Sequence, residues 1–278
     1  MKEALAALEG FSPRSIELAA MLLDGYGVAA WAPDASAVLA AQMAFFFWLD
    51  DRFDGGAISA EAAVSVLDHV HSGGARASRP STEEGASEAN ARPECAGFSL
   101  IESALWSRRP SFVRRARWRA SAASVVEAML AESSIDANTT LSEYVIVGSV
   151  TSTLGHLFTT LAWHEDLSFD DAPTAALIRR VSVHGRLHND KHSLARDERE
   201  ETLANAILVA AHGGPRAQAL ADIERELARL EDGIAASAAD PRVHPRVREM
   251  APKMLATHEA FYRRAADRYS AREAHAAH

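Results

Sequence analysis

Residues 45–54 of this 278-residue chain read F-F-F-W-L-D-D-R-F-D. If the stretch is helical, Asp50 and Asp54 lie one turn apart on one face, with Phe46 and Phe47 directly upstream. Carboxylates at this spacing repel one another unless a cation bridges them, and their oxygen atoms suit Mg²⁺. The stretch therefore predicts a helix whose aromatic wall ends in a pair of metal ligands. The alternative is a solvated helix end.

The rest of the chain also has the pattern of a helical protein. Hydrophobic residues make up 48% of it and aromatic residues 7%, which favours closely packed helices over sheet. Apolar residues recur at helical spacing, no segment shows the period-2 pattern of a strand, and the pattern predicts a single all-α domain, residues 1–278, of about ten helices. It is broken at residues 133–140, 164–173, 212–215 and 240–245. Residues 72–97 carry almost no large apolar side chain and predict a mobile loop.

Bulk properties narrow the classes of partner. The formal net charge of −9 argues against a nucleic-acid surface, which would present clustered Lys and Arg. Cys95 is the single cysteine, which excludes an intrachain disulfide and a Cys-based metal site. The N-terminus does not resemble a signal peptide, and the apolar run over residues 40–49 is too short to cross a bilayer. We expect a cytoplasmic protein with no membrane partner.

A second polar motif, G-R-L-H-N-D-K-H-S-L-A-R-D, occupies residues 185–197. Asn189, Ser193 and Asp197 are spaced i, i+4, i+8 and form one helical stripe about 12 Å long. An amide oxygen, a hydroxyl and a carboxylate in register offer a cradle for one hard cation. Two arginines flank the stripe within reach of a phosphate, Arg186 and Arg196. The alternative is the polar outer face of a surface helix.

A third element lies near the end of the chain. Arg268 and Tyr269 offer a guanidinium and a phenol, both of which can donate to a diphosphate, and Phe261 lies about two turns earlier on a helix. Taken alone, a basic helix end is more often a favourable partner of the helix dipole.

In combination, the three elements resemble the bacterial class I terpene synthases, which carry D-D-x-x-D, N-D-x-x-S-x-x-x-(D/E) and R-Y motifs in this order. The resemblance implies an all-α bundle with a central active-site cavity, and a lyase that ionises a prenyl diphosphate with three Mg²⁺ ions and cyclises the carbocation. Two ions would bind Asp50 and Asp54 on one helix, and the third the Asn189–Ser193–Asp197 stripe on the facing helix. The diphosphate would be held by Arg196, Arg268 and Tyr269, with Arg186 beside them. The family also makes a homodimer an expectation.

Within the family, three tracts look most like the small ent-kaurene-synthase-like diterpene synthases, which act on bicyclic copalyl-type diphosphates. They are F-W-L-D-D-x-x-D, G-R-L-x-N-D and the E-Y-x-x-x-G sequence that ends at Gly148. Many bacterial sesquiterpene synthases carry a diphosphate-sensing arginine where Gly148 stands. The resemblance places the substrate pocket at Phe46, Phe47, Gly148, Ser149, Ser152 and Phe261. The alternative within the family is a sesquiterpene synthase acting on farnesyl diphosphate.

Two readings from outside this activity stay open. His184, His188 and His192 form their own i, i+4, i+8 stripe, which could bind Zn²⁺ or Fe, although no H-E-x-x-H motif completes it. A degenerate synthase that binds a prenyl diphosphate without turnover is the other alternative, and Gly148 is the residue that favours it.

Overall fold

The computed structural model describes residues 2–73, 92–107 and 111–264. Every regular element in these ranges is a helix, which confirms the predicted all-α class. The chain divides into two compact units. Unit 1 comprises residues 1–24, 28–130 and 155–168, and unit 2 comprises residues 25–27, 131–154 and 169–278.

Unit 1 is built around one long buried helix. Its helices, some of which end just inside unit 2, are α1 (Lys2–Ala6), α2 (Pro13–Gly25), α3 (Val28–Trp31), α4 (Pro33–Asp54), α5 (Ala60–Ser72), α6 (Pro93–Trp106), α7 (Phe112–Glu132) and α9 (Leu154–His164). Helix α4 begins with a proline in its first turn, where the missing N–H costs nothing. It ends at Asp54, after which the N–H of Gly55 donates to the carbonyl of Asp51 and the N–H of Gly56 donates to that of Phe53. Leu39, Phe45 and Leu49 on α4 are fully buried.

Helix α6 packs closely against α4. The ring of Phe45 covers Gly97 so closely that a Cβ at residue 97 would overlap it. The same ring meets Phe98 edge to face with centroids 4.8 Å apart. This contact corrects the predicted loop over residues 72–97, because α5 runs to Ser72 and residues 93–97 are the buried start of α6. Small side chains there fit a tight helix contact and resemble a loop composition in sequence. Residues 74–91 lie outside the described ranges.

Unit 2 surrounds one 28-residue helix, α10, which contacts α8, α12 and α13. Its helices are α8 (Leu141–Thr151), α10 (Ala172–Arg199), α11 (Ala206–Ala211), α12 (Arg216–Ala239) and α13 (Pro245–Arg264). Asp171 caps α10 by accepting a hydrogen bond from the N–H of Thr174 at 2.8 Å. A core cluster fills the space between α8, α10, α11 and α12, with Leu187, Ile207 and Ile223 almost fully buried.

Each of the four predicted breaks coincides with a junction between helices, and the ranges 164–173 and 240–245 include one or two residues of the adjoining helices. Three further breaks after residue 98 were missed. One separates α6, which ends at Trp106, from α7, which begins at Phe112. Thr153 (φ 60°) separates α8 from α9, and Glu201 (φ 54°) lies in the corner between α10 and α11. By length and hydropathy, residues 141–164 could cross a membrane, although the most apolar window, of mean hydropathy 1.4, is half buried. A core helix of a soluble protein has the same properties.

Candidate functional site

The aspartate-rich motif lies in the last turns of α4, in unit 1. Asp50 is partly buried and Asp54 is exposed, and Phe47 is partly buried one turn upstream. Phe46 is 1% exposed, and its ring packs edge to face against His156 with centroids 5.0 Å apart. The helix therefore presents Phe47, Asp50 and Asp54 on a partly exposed face and directs Phe46 into the packed interior.

The second motif occupies the C-terminal half of α10, in unit 2. Ser193 is 1% exposed and Asp197 is 2% exposed, and the Ser193 hydroxyl donates to Asp197 Oδ2 at 2.5 Å. Asn189 lies one turn earlier on the same face and is partly buried. The structure therefore confirms that the three oxygen-bearing side chains lie on one helix, with the last two in direct contact.

Asn205 holds the carboxylate of Asp197 from outside the helix. Its side-chain amide donates to Asp197 Oδ2 at 2.8 Å and to the carbonyl of Asp190 at 2.7 Å. Its amide oxygen accepts the N–H of Ile207 at 2.9 Å and so caps α11. Asn205 is fully buried. One side chain therefore fixes both the orientation of a predicted ligand and the start of the next helix.

The side-chain oxygen atoms of Asn189, Ser193 and Asp197 fit a hard divalent cation. Carboxylate, hydroxyl and amide oxygens are the ligands that Mg²⁺ prefers, and ligating carboxylates are normally held by a second layer of hydrogen bonds, as Asn205 holds Asp197. Asp197 and Glu198 also line an open cavity of about 660 Å³ within unit 2. The cavity therefore reaches the Asp197 end of the stripe.

Arg196, predicted to bind diphosphate, contacts acidic neighbours on its own helix. Its guanidinium lies 2.9 Å from Asp197 Oδ1 and 3.8 Å from Glu200. It therefore lies beside the ligand stripe, which is the name used below for Asn189, Ser193 and Asp197, the three predicted ligands on α10. Arg268 and Tyr269, the other two predicted diphosphate donors, lie outside the described residues.

Arg186 is engaged by a buried polar network in unit 2. Its guanidinium lies 2.9 Å from Glu132 and 2.9 Å from Asp190, and it donates to the Tyr144 hydroxyl at 2.8 Å. It also donates to the Thr151 hydroxyl at 3.0 Å. Two tracts that carried the family resemblance, E-Y-x-x-x-G on α8 and G-R-L-x-N-D on α10, thus meet through these side chains.

Burial raises the pKa of two acids in this network. The pKa of Asp190 is raised because the carboxyl is fully buried, against the opposing effect of the Arg186 guanidinium. The pKa of Tyr144 is raised well above its usual value for the same reason. Tyr144 donates to Asp190 Oδ2 at 2.8 Å, and the N–H of Ala206 donates to the same oxygen at 3.1 Å. The hydrogen-bonded network therefore links the starts of α8 and α11 to the middle of α10.

Gly148 lies directly against the stem of Arg186. A Cβ at residue 148 would stand 2.8 Å from Cγ of Arg186 and 3.2 Å from its Cδ. Carbon atoms not bonded to each other do not approach so closely without strain. The absence of a side chain at position 148 therefore makes room for a different arginine, contributed by α10.

The remaining predicted pocket residues lie near the end of α8 and on α13. The hydroxyl of Ser149 donates to the carbonyl of Ile146 at 2.9 Å, and that of Ser152 donates to the carbonyl of Ser149 at 2.8 Å. Phe261 is 4% exposed, with its ring edge to face with Tyr262 at 5.1 Å. Their assignment to a substrate pocket stays a prediction.

The predicted histidine stripe is present on α10, and α13 adds to it. Rings of His184 and His188 are 5.6 Å apart, and those of His188 and His192 are 4.8 Å apart. His258 on α13 lies 6.2 Å from His188, and its Nε2 is 2.9 Å from the Tyr26 hydroxyl. Burial lowers the pKa of His188 and of His258 to about 3.

Sequence reasoning missed four residues that support these side chains. They are Glu132, Tyr144, Asp190 and Asn205. Asn205 had a local signal, since Asn followed by the apolar run of residues 206–210 is typical of a helix N-cap. Asp190 had another, because it is spaced i, i+4 from Arg186 on one helix. Glu132 and Tyr144 act through contacts between distant parts of the chain, which no local spacing reveals.

The chain is similar to a known protein family. Residues 42–232 match the family model described as "Terpene synthase family 2, C-terminal metal binding". All five predicted metal ligands fall within the matched residues. No curated protein sequence matches the chain.

Solved structures share the fold at low sequence identity. A linalool/nerolidol synthase from Streptomyces clavuligerus, in complex with 2-fluorogeranyl diphosphate, is 15% identical, with a TM-score of 0.66 over 95% of this chain and 94% of that one. Isoprene synthase from grey poplar, with three Mg²⁺ ions and dimethylallyl-S-thiolodiphosphate, is 13% identical, with a TM-score of 0.68 over 94% of this chain and 51% of that one. Abietadiene synthase from Abies grandis is 14% identical, with a TM-score of 0.64 over 87% and 34%.

Proposed function

We propose that this chain, which belongs to the terpene synthase family 2 with C-terminal metal binding, is a class I diterpene synthase. It would use Mg²⁺ to ionise a copalyl-type diphosphate, cyclise the carbocation to a terpene and release diphosphate. The observation that carries the proposal is the ligand stripe of α10, in which Ser193 and Asp197 are buried and the carboxylate is held by Asn205. Such a preorganised set of oxygen donors suits a divalent cation far better than a solvated helix face.

The proposed metal set comprises three Mg²⁺ ions. Asp50 and Asp54 on α4 would hold two of them, and Asn189, Ser193 and Asp197 would hold the third. The poplar isoprene synthase, which has the same fold, contains three Mg²⁺ ions in its complex, and this precedent supports the number.

Bound Mg²⁺ would neutralise the charge that develops on the diphosphate as the C–O bond breaks, which is the largest electrostatic demand of this reaction. Arg196 lies beside the proposed ligand Asp197, and turning its guanidinium from Glu200 toward the substrate would add a charge-assisted hydrogen bond. Arg268 and Tyr269 are proposed as further donors. Phe47, partly buried on the face of Asp50, would offer its ring to the carbocation.

Arg186 has a different proposed role. Its guanidinium already has Glu132, Asp190 and the hydroxyls of Tyr144 and Thr151 as partners, so direct binding to diphosphate would require breaking one of these bonds. We therefore assign it a positioning role. It would fix the α8–α10 contact and place a positive charge near the ligand stripe, where a sensing arginine on α8 is missing.

The substrate has one serious alternative. The linalool/nerolidol synthase complex contains a linear prenyl diphosphate analogue, which favours a linear substrate such as farnesyl diphosphate. The three sequence tracts and the Gly148–Arg186 arrangement favour a bicyclic copalyl-type substrate. A cytoplasmic location and a homodimer stay predictions.

Product analysis decides between these substrates. The purified chain is incubated with Mg²⁺ and, separately, with geranyl, farnesyl, geranylgeranyl and both enantiomers of copalyl diphosphate, and the extracts are analysed by gas chromatography with mass spectrometry. We expect a diterpene from one copalyl enantiomer. A sesquiterpene from farnesyl diphosphate alone would overturn the diterpene assignment. Tight binding of substrates with no product from any would overturn the enzymatic assignment.

Two variants test the metal assignment in the same assay. Asp50→Ala and Asn189→Ala should each abolish product, because each removes one metal ligand. Far-UV circular dichroism should show that both remain folded, since neither side chain belongs to the packed core. Turnover close to that of the unchanged protein in either variant would exclude that residue as a ligand.

A further inference from the structure

A second group of potential metal ligands lies on the other flank of α10. His188 and His192 on α10 and Glu259 on α13 each offer one ligand atom, and the three atoms lie within 4.8 Å of one another. The two histidines are one helical turn apart, so they point the same way. Glu259 closes the group from the neighbouring helix. All three residues belong to unit 2.

The separations fit an intervening ion. Glu259 Oε2 lies 3.4 Å from His188 Nε2 and 4.0 Å from His192 Nε2. A direct N–H···O hydrogen bond would normally be about 2.7–3.2 Å long. Two ligands that each lie about 2.1 Å from one tetrahedral zinc ion are about 3.4 Å apart. Side-chain adjustments of less than about 1 Å would therefore bring all three atoms to coordination distance.

The surroundings hold the imidazoles and leave the carboxylate accessible. The His192 ring stacks on Tyr262, with centroids 4.6 Å and planes 5° apart, and its side chain is 29% exposed. The His188 side chain is 12% exposed, and its Nδ1 is buried without a hydrogen-bond partner among the described residues. Glu259 is 51% exposed, and its other oxygen lies 3.5 Å from Arg263. The oxygen that faces the two histidines, Oε2, is therefore not the one that pairs with Arg263.

We propose that His188, His192 and Glu259 form a binding site for a first-row transition cation of the Zn²⁺ class, separate from the magnesium site. Two imidazole nitrogens and one carboxylate oxygen suit Zn²⁺, Co²⁺ or Ni²⁺, whereas Mg²⁺ prefers oxygen alone. Helix α10 would then carry an oxygen-ligand site on one face and a nitrogen-ligand site on the adjacent face. The ligand set differs from the three-histidine stripe that the sequence left open as an alternative, because His184 instead bonds Glu231 at 3.2 Å. The ion would cross-link α10 to α13.

Direct metal binding tests the site without reference to turnover. The protein is stripped of metal, kept in excess Mg²⁺ to occupy oxygen-ligand sites, and titrated with Zn²⁺ by isothermal calorimetry and with Co²⁺ by visible absorption. We expect one Zn²⁺ per chain, and a Co²⁺ spectrum with the intense d–d bands of a four-coordinate site. His192→Ala and Glu259→Gln should each weaken binding at least tenfold, since even residues that only support a ligand change metal affinity by about 10–100-fold.

Two control variants separate this site from others. His71→Ala removes an exposed histidine of α5 and should leave Zn²⁺ affinity unchanged. Asn189→Ala removes a ligand of the magnesium site and should also leave it unchanged. Circular dichroism of the metal-free proteins checks folding, and both altered ligands are partly exposed. The proposal is overturned if Zn²⁺ fails to bind, if His192→Ala and Glu259→Gln bind it as tightly as the unchanged protein, or if Asn189→Ala abolishes binding.

Discussion

Replacement of Gly148 by alanine tests whether the glycine exists to admit Arg186. The new Cβ would stand 2.8 Å from Cγ of Arg186, whereas ordinary carbon contacts begin at roughly 3.5 Å. The arginine cannot retreat easily, because Glu132 and Asp190 hold its other end and are 7% and 1% exposed. Overpacking of this kind costs about 1–3 kcal/mol, while alanine gains up to about 1 kcal/mol over glycine within a helix. We expect a net loss of about 1–2 kcal/mol in the free energy of unfolding.

A double-mutant cycle isolates the contact. Arg186→Ala alone should cost about 3–5 kcal/mol, because it leaves two buried carboxylates without their cation. In that background Gly148→Ala has no stem to meet and should stabilise the protein by about 0.5–1 kcal/mol. The effect of the same substitution therefore changes sign between backgrounds. Adding Asp190→Asn to both backgrounds keeps the comparison measurable if the loss of Arg186 proves too destabilising.

Equilibrium urea unfolding, followed by far-UV circular dichroism, supplies the four free energies. The two effects of Gly148→Ala should differ by about 2 kcal/mol, which is well above the usual additivity error of about 0.5 kcal/mol. If Gly148→Ala stabilises the unchanged protein, or shifts both backgrounds equally, then Arg186 does not require the glycine. The positioning role proposed for this arginine would then lose its structural basis.

Three further predictions concern other contacts. Asn205→Ala should raise the Mg²⁺ concentration needed for half-maximal turnover about 10–100-fold, because Asp197 loses its orienting donor. Asn205→Asp keeps the helix cap but should need at least as much Mg²⁺ as Asn205→Ala. A normal Mg²⁺ dependence of Asn205→Asp would show that only the cap matters. Burial lowers the pKa of His156 to about 3. Between about pH 6.5 and pH 3 the imidazole is therefore protonated in the unfolded chain and neutral in the folded one, so the free energy of unfolding falls as the pH falls. At pH 5.5 it should be lower than at pH 7.5 by about 1.4 kcal/mol. The variant His156→Asn should lose that part of the pH dependence in urea unfolding, and an unchanged slope would refute the assignment. Gly97→Ala should lower stability by about 1–3 kcal/mol through overlap with the Phe45 ring, and a neutral result would show that α6 can shift.

Several helix boundaries that the chain marks with glycine or proline were predictable, although the start of α6 at Pro93 was not. Pro33 and Gly55 bracket α4, and the break at residues 212–215 contains two glycines and a proline. The corner over residues 200–205 has neither, and it is formed by Glu201 in a left-handed conformation together with the cap at Asn205. Its pattern therefore looked like uninterrupted helix.

The common face of Asn189, Ser193 and Asp197 on α10 was predictable because the three residues share one helix and their spacing alone fixes that face. The network around Arg186 was not, because Glu132 and Tyr144 lie 54 and 42 residues earlier in the sequence. For the same reason Arg186 was predicted to hold diphosphate, while the structure gives its guanidinium four protein side chains. Glu259 was likewise not predictable as a partner of the histidines, because the contact between α13 and α10 is a tertiary one.

Asn205 also limits how this ligand set can be moved into another protein. Transplanting residues 189–197 onto a designed helix would transfer the three proposed ligands but leave behind the amide that orients Asp197, because that amide belongs to the following turn. The smallest portable module therefore extends through the corner to the first residues of α11, where Asn205 accepts the N–H of Ile207. A graft that shortened this corner would move an intact sequence motif without its geometry.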